Sequence, residues 1–169
     1  MATALDWAEA YREQAGADLR AATQAIEPSA LAMLLQLAYE KVAKAALLRA
    51  RMSTIQAAQT THLAASTMMA VLAGSRRKCI QLGIDRFYLQ YTLCPMVTEL
   101  EGLHPALVRA RGSMGPWLEY PWEDPNQDIR WPARDLPGLN GFRPQHGGRA
   151  VVLANTCNAI IQRVNQIFV

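Results

Sequence analysis

PSALAMLLQLAYEKVAKAALL, residues 28–48, is the stretch that decides the fold class. Pro28 suits the first turn of a helix, because the N–H that proline lacks has no intrahelical acceptor at that position. The apolar residues that follow recur at steps of three and four, which is the spacing of one broad helix face. They are Leu31, Leu34, Leu35, Ala38, Val42, Ala45, Ala46 and Leu48. We therefore predict a helix over 28–48 that buries a wide apolar face.

The rest of the first two thirds of the chain repeats this helical pattern. A first helix is predicted from Leu5 to Ile26, and a third helix capped by Thr60 or Thr61 and ended by Gly74. Ser75 is predicted to cap the next helix. Further helical segments follow Pro95 and precede the C-terminus, and they complete an all-α, up-and-down bundle. The expected apolar face of the helix after Ser75 consists of Ile80, Ile84, Phe87 and Tyr91.

Residues 112–148 interrupt the helical pattern. This segment holds six of the nine prolines, six of the ten glycines and three of the four tryptophans. We predict an irregular insertion between a helical core over 3–110 and a last helix over 149–168, all within one domain, 1–169. A short hairpin is the alternative, with strands at 117–120 and 129–131 around the turn-rich residues 123–128.

Composition excludes several classes of protein. The chain has 169 residues, of which 51% are hydrophobic, and a net charge of +3, which indicates one soluble domain rather than a disordered or strongly basic protein. No apolar run is long enough to span a membrane. The acidic residues of MATALDWAEAYREQ argue against a signal peptide, and the three scattered cysteines fit a reducing compartment. We predict a cytoplasmic protein.

The segment Ala38-Tyr39-Glu40-Lys41-Val42-Ala43-Lys44-Ala45 resembles the second helix of HEPN domains. Residues from Trp7 to Ala22 are similar to the first helix of that family, and Thr61-His62-Leu63 is similar to the opening of its third helix. The likeness covers about residues 5–110. It implies a small helical bundle that forms dimers. Many family members are metal-independent ribonucleases of toxin–antitoxin, abortive-infection or CRISPR systems, and others are non-catalytic partners of nucleotidyltransferases.

The ribonuclease signature of that family is missing here. It places an arginine before a histidine, with four to six residues between them. The three positions where that arginine would stand hold Ile-Gln-Ala before His62, Val-Thr-Glu before His104 and Leu-Asn-Gly before His146. We therefore predict a non-catalytic HEPN-like interaction module, a homodimer that acts with a nucleotidyltransferase or in a defence-type system. A divergent metal-independent ribonuclease and a nucleotide- or small-ligand-binding protein stay open as alternatives.

The candidate functional residues follow from these alternatives. For catalysis they are His146, His104 and Arg143, whereas His62 is predicted to cap or pack its helix. The alternative to ligand binding is a purely structural role. Glu40 and Lys44 would then form an exposed i, i+4 pair, and the basic cluster at 76–78 would form a solvated turn. The tryptophans either stack on bases or cover the bundle and a second subunit. Candidate ligand-binding residues are Lys41, Lys44, Arg76, Arg77, Lys78, Trp122 and Trp131.

No cofactor or metal site is predicted. The cysteines and histidines show none of the close spacings that are typical of zinc sites. No glycine-rich stretch matches a phosphate-binding loop, because the stretch at 112–115 is not followed by a lysine. Nucleic acid is a weaker candidate partner than a second copy of the chain or another protein, since the net charge is small.

Overall fold

The computed structural model describes residues 2–110, 121–130, 132–135 and 148–169, without the side chains of residues 108–110, 122, 133 and 134. The fold class is the predicted one, an all-α helical bundle. Its elements are α1 (Ala4–Gln24), α2 (Pro28–Arg49), α3 (Ile55–Thr60), α4 (Ala64–Ala73), α5 (Arg76–Leu82), α6 (Arg86–Tyr88), a π-helical turn (Leu89–Leu93), α7 (Cys94–Glu101), α8 (Pro105–Ala110), β1 (Trp122–Glu123), β2 (Ile129–Arg130), α9 (Pro132–Asp135) and α10 (Arg149–Ile167).

Helix α2 lies at the centre of the bundle. It begins at Pro28, as predicted, and it packs against α1, α4, α7 and α10. Leu35, Ala38 and Val42 are completely buried. The many alanines of α2 keep its surface narrow, so that several neighbouring helices approach it closely. Because neighbours cover α2 on several sides, its polar residues are also drawn into the interior.

The start of α4 differs from the prediction. Instead of one helix capped by Thr60 or Thr61, the chain forms α3, with Thr54 as its side-chain cap, and then α4 from Ala64. The Thr61 hydroxyl accepts a hydrogen bond from the N–H of Leu63, and no side chain at the N-cap position serves α4. The first N–H groups of α4 are satisfied by a residue distant in sequence, which local capping rules do not detect.

The helix after Ser75 is also shorter than predicted. Ser75 caps α5 as expected, but Gly83 ends the helix with a φ of 75°, a left-handed conformation that glycine adopts without steric cost. The chain restarts at α6 with a different rotation, so the predicted apolar face is mostly wrong, although its member Ile84 is partly buried against the core. Ile80, Phe87 and Tyr91 are 69%, 71% and 68% exposed. The buried residues of this region are instead Cys79, Leu82, Leu89 and Leu93.

A short hairpin exists within residues 121–130. Strands β1 and β2 are antiparallel, with Trp122 opposite Arg130 and Glu123 opposite Ile129. The first strand therefore lies at 122–123, and the stretch predicted for it, 117–120, falls outside the described residues. The Asp124 carboxylate stabilises the turn by accepting the N–H groups of Asn126 and Asp128 and by pairing with Arg130.

The last helix packs its apolar side onto α2 and α5. Its last residue, Ile167, and the Phe168 that follows it are buried. The three cysteines, Cys79, Cys94 and Cys157, are free thiols. Among the described residues, no helix combines the length and the apolar character that crossing a membrane requires.

Candidate functional site

Three polar residues at steps of four stand on one face of the mostly apolar helix α2. Gln36, Glu40 and Lys44 share this face because four residues make about one helical turn. Lys44 is only 5% exposed, and its Nζ lies 2.6 Å from Glu40 Oε1. The predicted i, i+4 pair is present, but the interpretation of this pair as a solvated surface feature is wrong. Neighbouring helices cover it, including Tyr11 of α1, whose ring centre lies 5.7 Å from the ammonium.

Two histidines from separate loops join Glu40. His62 precedes α4, and its Nδ1 lies 3.5 Å from Glu40 Oε2. His104 precedes α8, and its Nε2 lies 4.0 Å from the same oxygen. The two imidazole rings are stacked, with centroids 4.0 Å apart and planes at 21°. The prediction that His62 only caps or packs a helix missed this cluster, and His104 is the one catalytic candidate that the described residues place in it.

Hydrogen bonds determine where the ring hydrogen of His104 lies. Its Nδ1 accepts a hydrogen bond from the N–H of Ala106 at 3.1 Å. In neutral imidazole only one nitrogen carries hydrogen, so Nε2 of His104 is the protonated nitrogen and faces Glu40. The loop that begins α8 therefore presents a donor to the carboxylate rather than a lone pair.

His62 is arranged differently. Its Nδ1 and Glu40 Oε2 are both buried, and neither has a hydrogen-bond partner among the described residues. The His62 side chain as a whole is 33% exposed. His62 thus points one nitrogen towards a buried carboxylate, while part of its side chain remains exposed to solvent.

A second carboxylate lies beside this cluster. Glu101, at the end of α7, accepts the N–H of Ala65 at 2.8 Å and that of Ser66 at 3.3 Å, and so supplies the cap that α4 lacks. Burial raises the pKa of Glu101, the hydrogen bonds from Ser66 and Ala65 oppose that rise, and the charge of Glu40 adds to it. Burial, followed by the same Glu40 charge, raises the pKa of Tyr11.

A narrow cleft lies beside Glu40 and Glu101, and it has no room for a water molecule. The Gln36 amide lies at the cleft, and neither its oxygen nor its nitrogen finds a hydrogen-bond partner in the described part of the chain. Buried amides are rarely left in this state, because each unpaired group has lost its hydration. The cleft is lined by Gln36, Tyr39, Glu40, Ala65, Val97, Leu100 and Glu101.

Two of the predicted ligand-binding lysines have structural contacts instead. Lys41 pairs with the buried carboxylate of Asp18 and so links α1 to α2. Lys78 donates to the carbonyl of Ile167, and its ammonium lies 4.7 Å from the centre of the Phe168 ring. A cation at this position stabilises the C-terminal end of α10, where carbonyl groups lack intrahelical partners.

The remaining candidates are outside the cluster or outside the described residues. Arg76 and Arg77 are exposed in the first turn of α5, as expected for a solvated turn. His146, Arg143 and Trp131 fall outside the described residues. Trp122 contributes backbone to β1, but its side chain is not described.

The ligand chemistry of the cluster is that of a small acid–base or metal centre. Glu40, His62 and His104 each offer one ligand atom, and these three atoms lie within 4.8 Å of one another. Sequence spacing could not reveal the set, because its members are 22 and more residues apart. The available signal was the polar series at 36, 40 and 44 in a helix whose other residues are mostly apolar.

Comparisons with known proteins identify no relative: no protein-family model, curated protein or solved structure matches this chain.

Proposed function

We propose that the protein is an acid–base enzyme in which His62 transfers the proton and Glu40 orients the imidazole. The observation that supports this proposal is the 3.5 Å approach of His62 Nδ1 to Glu40 Oε2, with both atoms buried and the His62 side chain 33% exposed. A carboxylate that faces one imidazole nitrogen favours the tautomer with hydrogen on that nitrogen. The other nitrogen is then free to act as a base.

Lys44 supports the same arrangement from the other side of the carboxylate. Its ammonium pairs with Oε1 and leaves Oε2 for the histidines. A buried carboxylate favours its charged form only when a cation or donors compensate the lost hydration. Lys44 supplies that cation, so Glu40 is available as an anion to stabilise the imidazolium that forms when His62 takes a proton.

RNA is the substrate class that we assign to the site. Cleavage of RNA without a metal needs a base that removes the proton of a 2′-hydroxyl and an acid that protonates the leaving 5′-oxygen. His62 Nε2 takes the proton as the 2′-oxygen bonds to phosphorus. The resulting imidazolium returns the proton to the 5′-oxygen as its bond to phosphorus breaks. The HEPN-like resemblance of residues 5–110 supports this choice, although the family signature is absent.

The test is cleavage of end-labelled RNA in EDTA, read on a denaturing gel. We expect His62→Ala to lose activity by about two orders of magnitude or more, which is a typical contribution of a general base. Glu40→Gln should lose at least about tenfold, because the imidazole loses its anionic partner. Glu13→Gln, an exposed carboxylate of α1, is the matched control.

Two results would contradict this assignment. Intact RNA at high enzyme concentration would exclude the ribonuclease activity. Cleavage that survives in His62→Ala and disappears in His146→Ala would move the catalytic residue into the segment 136–147. Circular dichroism of each variant separates a lost catalytic group from a lost fold.

A non-catalytic interaction module is the second candidate, and the exposed apolar surface of α5, α6 and the π-helical turn favours it. Phe87 and Tyr91 stack on each other with centroids 6.2 Å apart while both remain about 70% exposed, and Ile80 is exposed in the same region of the chain. Exposed apolar clusters of this kind are typical of interaction surfaces. Light scattering after gel filtration tests the homodimer. A dimer that Phe87→Ser dissociates, together with intact RNA, would favour this candidate over the enzyme.

A further inference from the structure

The Glu40, His62 and His104 cluster has the composition of a transition-metal site. Two imidazoles and one carboxylate form a common set for zinc and for non-haem iron. Two ligand atoms on one tetrahedral ion stand about 3.4 Å apart when each bond is about 2.1 Å long. Glu40 Oε2 and His62 Nδ1 are 3.5 Å apart, and Glu40 Oε2 and His104 Nε2 are 4.0 Å apart.

We infer that this cluster binds one divalent transition-metal ion of the Zn²⁺ class, and that the bound ion inhibits the enzyme. The inhibition clause rests on the proposed function, whereas the binding clause stands on the geometry alone. The first two atoms already have the spacing of ligands on one ion. To complete the set, His104 Nε2 must approach Glu40 Oε2 by about half an ångström, from 4.0 Å. The His104 ring must also turn out of its stack with His62, because an imidazole binds an ion in the plane of its own ring.

The unpartnered atoms give an independent reason for binding. Glu40 Oε2 and His62 Nδ1 are buried polar atoms without a hydrogen-bond partner in the described residues. Such atoms have lost their hydrogen bonds to water without gaining others. This reduces the stability of the fold by about 1–3 kcal/mol for each neutral group and by more for a charged one. A cation between them would be their shared partner. His62 is 33% exposed, so the cluster lies close to the surface.

Two features limit the affinity. Lys44 keeps its positive charge next to Glu40, on Oε1, and opposes a second cation at Oε2. His104 needs its ring hydrogen on Nδ1 when Nε2 binds the ion, so the hydrogen bond from the N–H of Ala106 is lost. We therefore expect weaker binding than in a structural zinc site, whose ligands are preorganised for the metal.

Inhibition follows from which of its two nitrogens His62 uses to bind the metal. Coordination through Nδ1 places the single ring hydrogen of His62 on Nε2. Nε2 is the nitrogen that the proposed reaction needs free of hydrogen. The metal also occupies Glu40 Oε2, which then no longer stabilises the imidazolium. A metal-loaded protein is therefore expected to lack the cleavage that the metal-free protein performs.

The experiment titrates the full chain with Zn²⁺ by calorimetry and with Co²⁺ by visible absorption, in the absence of RNA. We expect one equivalent of either ion, with the ligand-field bands of nitrogen and oxygen ligands for Co²⁺. His62→Ala and Glu40→Gln should each weaken binding at least about tenfold, which is the order of effect that even outer partners of metal ligands show. Glu13→Gln, the matched control, should bind as the unaltered protein does.

Several outcomes would overturn the inference. One is the absence of binding. Another is equal binding by His62→Ala, Glu40→Gln and the control. A thiolate charge-transfer band would assign the ion to a cysteine, and loss of binding in His146→Ala alone would assign it to the segment 136–147. If Glu40→Gln fails to fold, the variants His62→Ala, at a partly exposed residue, and His104→Ala show whether the cluster binds the ion.

The experiments test metal binding and RNA cleavage independently of each other. RNA cleavage is measured in EDTA, where the metal plays no part. Zn²⁺ binding that depends on His62, without any RNA cleavage, would keep the site and remove the proposed function with its inhibition clause. His62-dependent cleavage that Zn²⁺ leaves unchanged would keep the enzyme and overturn the inhibition.

Discussion

Two charged regions of this molecule have the opposite burial from what their sequences indicate. Residues 76–78, Arg-Arg-Lys, form the densest basic cluster of the chain, yet Arg76 and Arg77 are exposed and Lys78 binds the end of α10. Glu40 and Lys44 look like an ordinary surface pair, yet both are largely buried and two distant histidines approach them. Density of charge along the chain therefore says less about a site than the burial of a few charges does.

The comparison of these two regions predicts that the largest change in the free energy of unfolding follows substitution of Lys44. Lys44→Met keeps the length of the side chain but leaves the Glu40 carboxylate buried without its cation. We expect a loss of about 3–5 kcal/mol in the free energy of unfolding, measured by urea denaturation. The double variant Glu40→Gln with Lys44→Met should recover much of that loss, because no uncompensated charge remains. A loss below about 1 kcal/mol in the single variant would mean that the pair behaves as a solvated one.

The next effect concerns the cap that Glu101 provides. Glu101→Ala leaves the N–H groups of Ala65 and Ser66 without their acceptor at the buried start of α4. We expect a loss of about 1–3 kcal/mol in the free energy of unfolding. Hydrogen exchange should show faster opening of α4 than of α10. Equal protection of both helices would show that water replaces the carboxylate at no cost.

Glu101 also predicts a pH dependence with a definite sign. Burial raises the pKa of its carboxyl above the ordinary value of 4.5, so the folded state keeps this proton to higher pH than the unfolded state does. Its contribution to stability is fully present below about pH 4.5 and is lost as the pH rises through the raised pKa. Glu101→Gln lacks this titration. The difference in stability between the variant and the unaltered protein should therefore shift in favour of Glu101→Gln as the pH rises from 4.5, and a constant difference would contradict the raised pKa.

The smallest effects belong to the basic cluster. Lys78→Met removes the donor to the carbonyl of Ile167, and we expect a loss of about 1 kcal/mol in the free energy of unfolding. Arg77→Ala changes an exposed side chain, and we expect a change within about 0.5 kcal/mol. Both are measured by urea denaturation beside the Lys44 variants. Equal effects of Lys78→Met and Arg77→Ala would show that the contact at the end of α10 contributes nothing.

Much of the helical architecture was predictable because its causes are local. The start of α2 at Pro28, the Ser75 cap and the end of α4 at Gly74 all depend on residues within one turn of the helix end. Prediction failed after Gly83, where the left-handed residue changes the rotation of the chain and leaves Phe87 and Tyr91, expected to be buried, exposed. It also failed at the start of α4, because the cap comes from Glu101, which is 36 residues from Ala65.

The sequence by itself determined the helical class, the central apolar helix and most helix ends, since periodicity and capping act over a few residues. Tertiary structure alone decided the candidate site. Glu40 became a buried carboxylate only because neighbouring helices cover α2, and the histidines reached it only because the loops before α4 and α8 end at the same place. Burial and long-range approach depend on how helices pack, and the packing brings together residues that no local pattern connects.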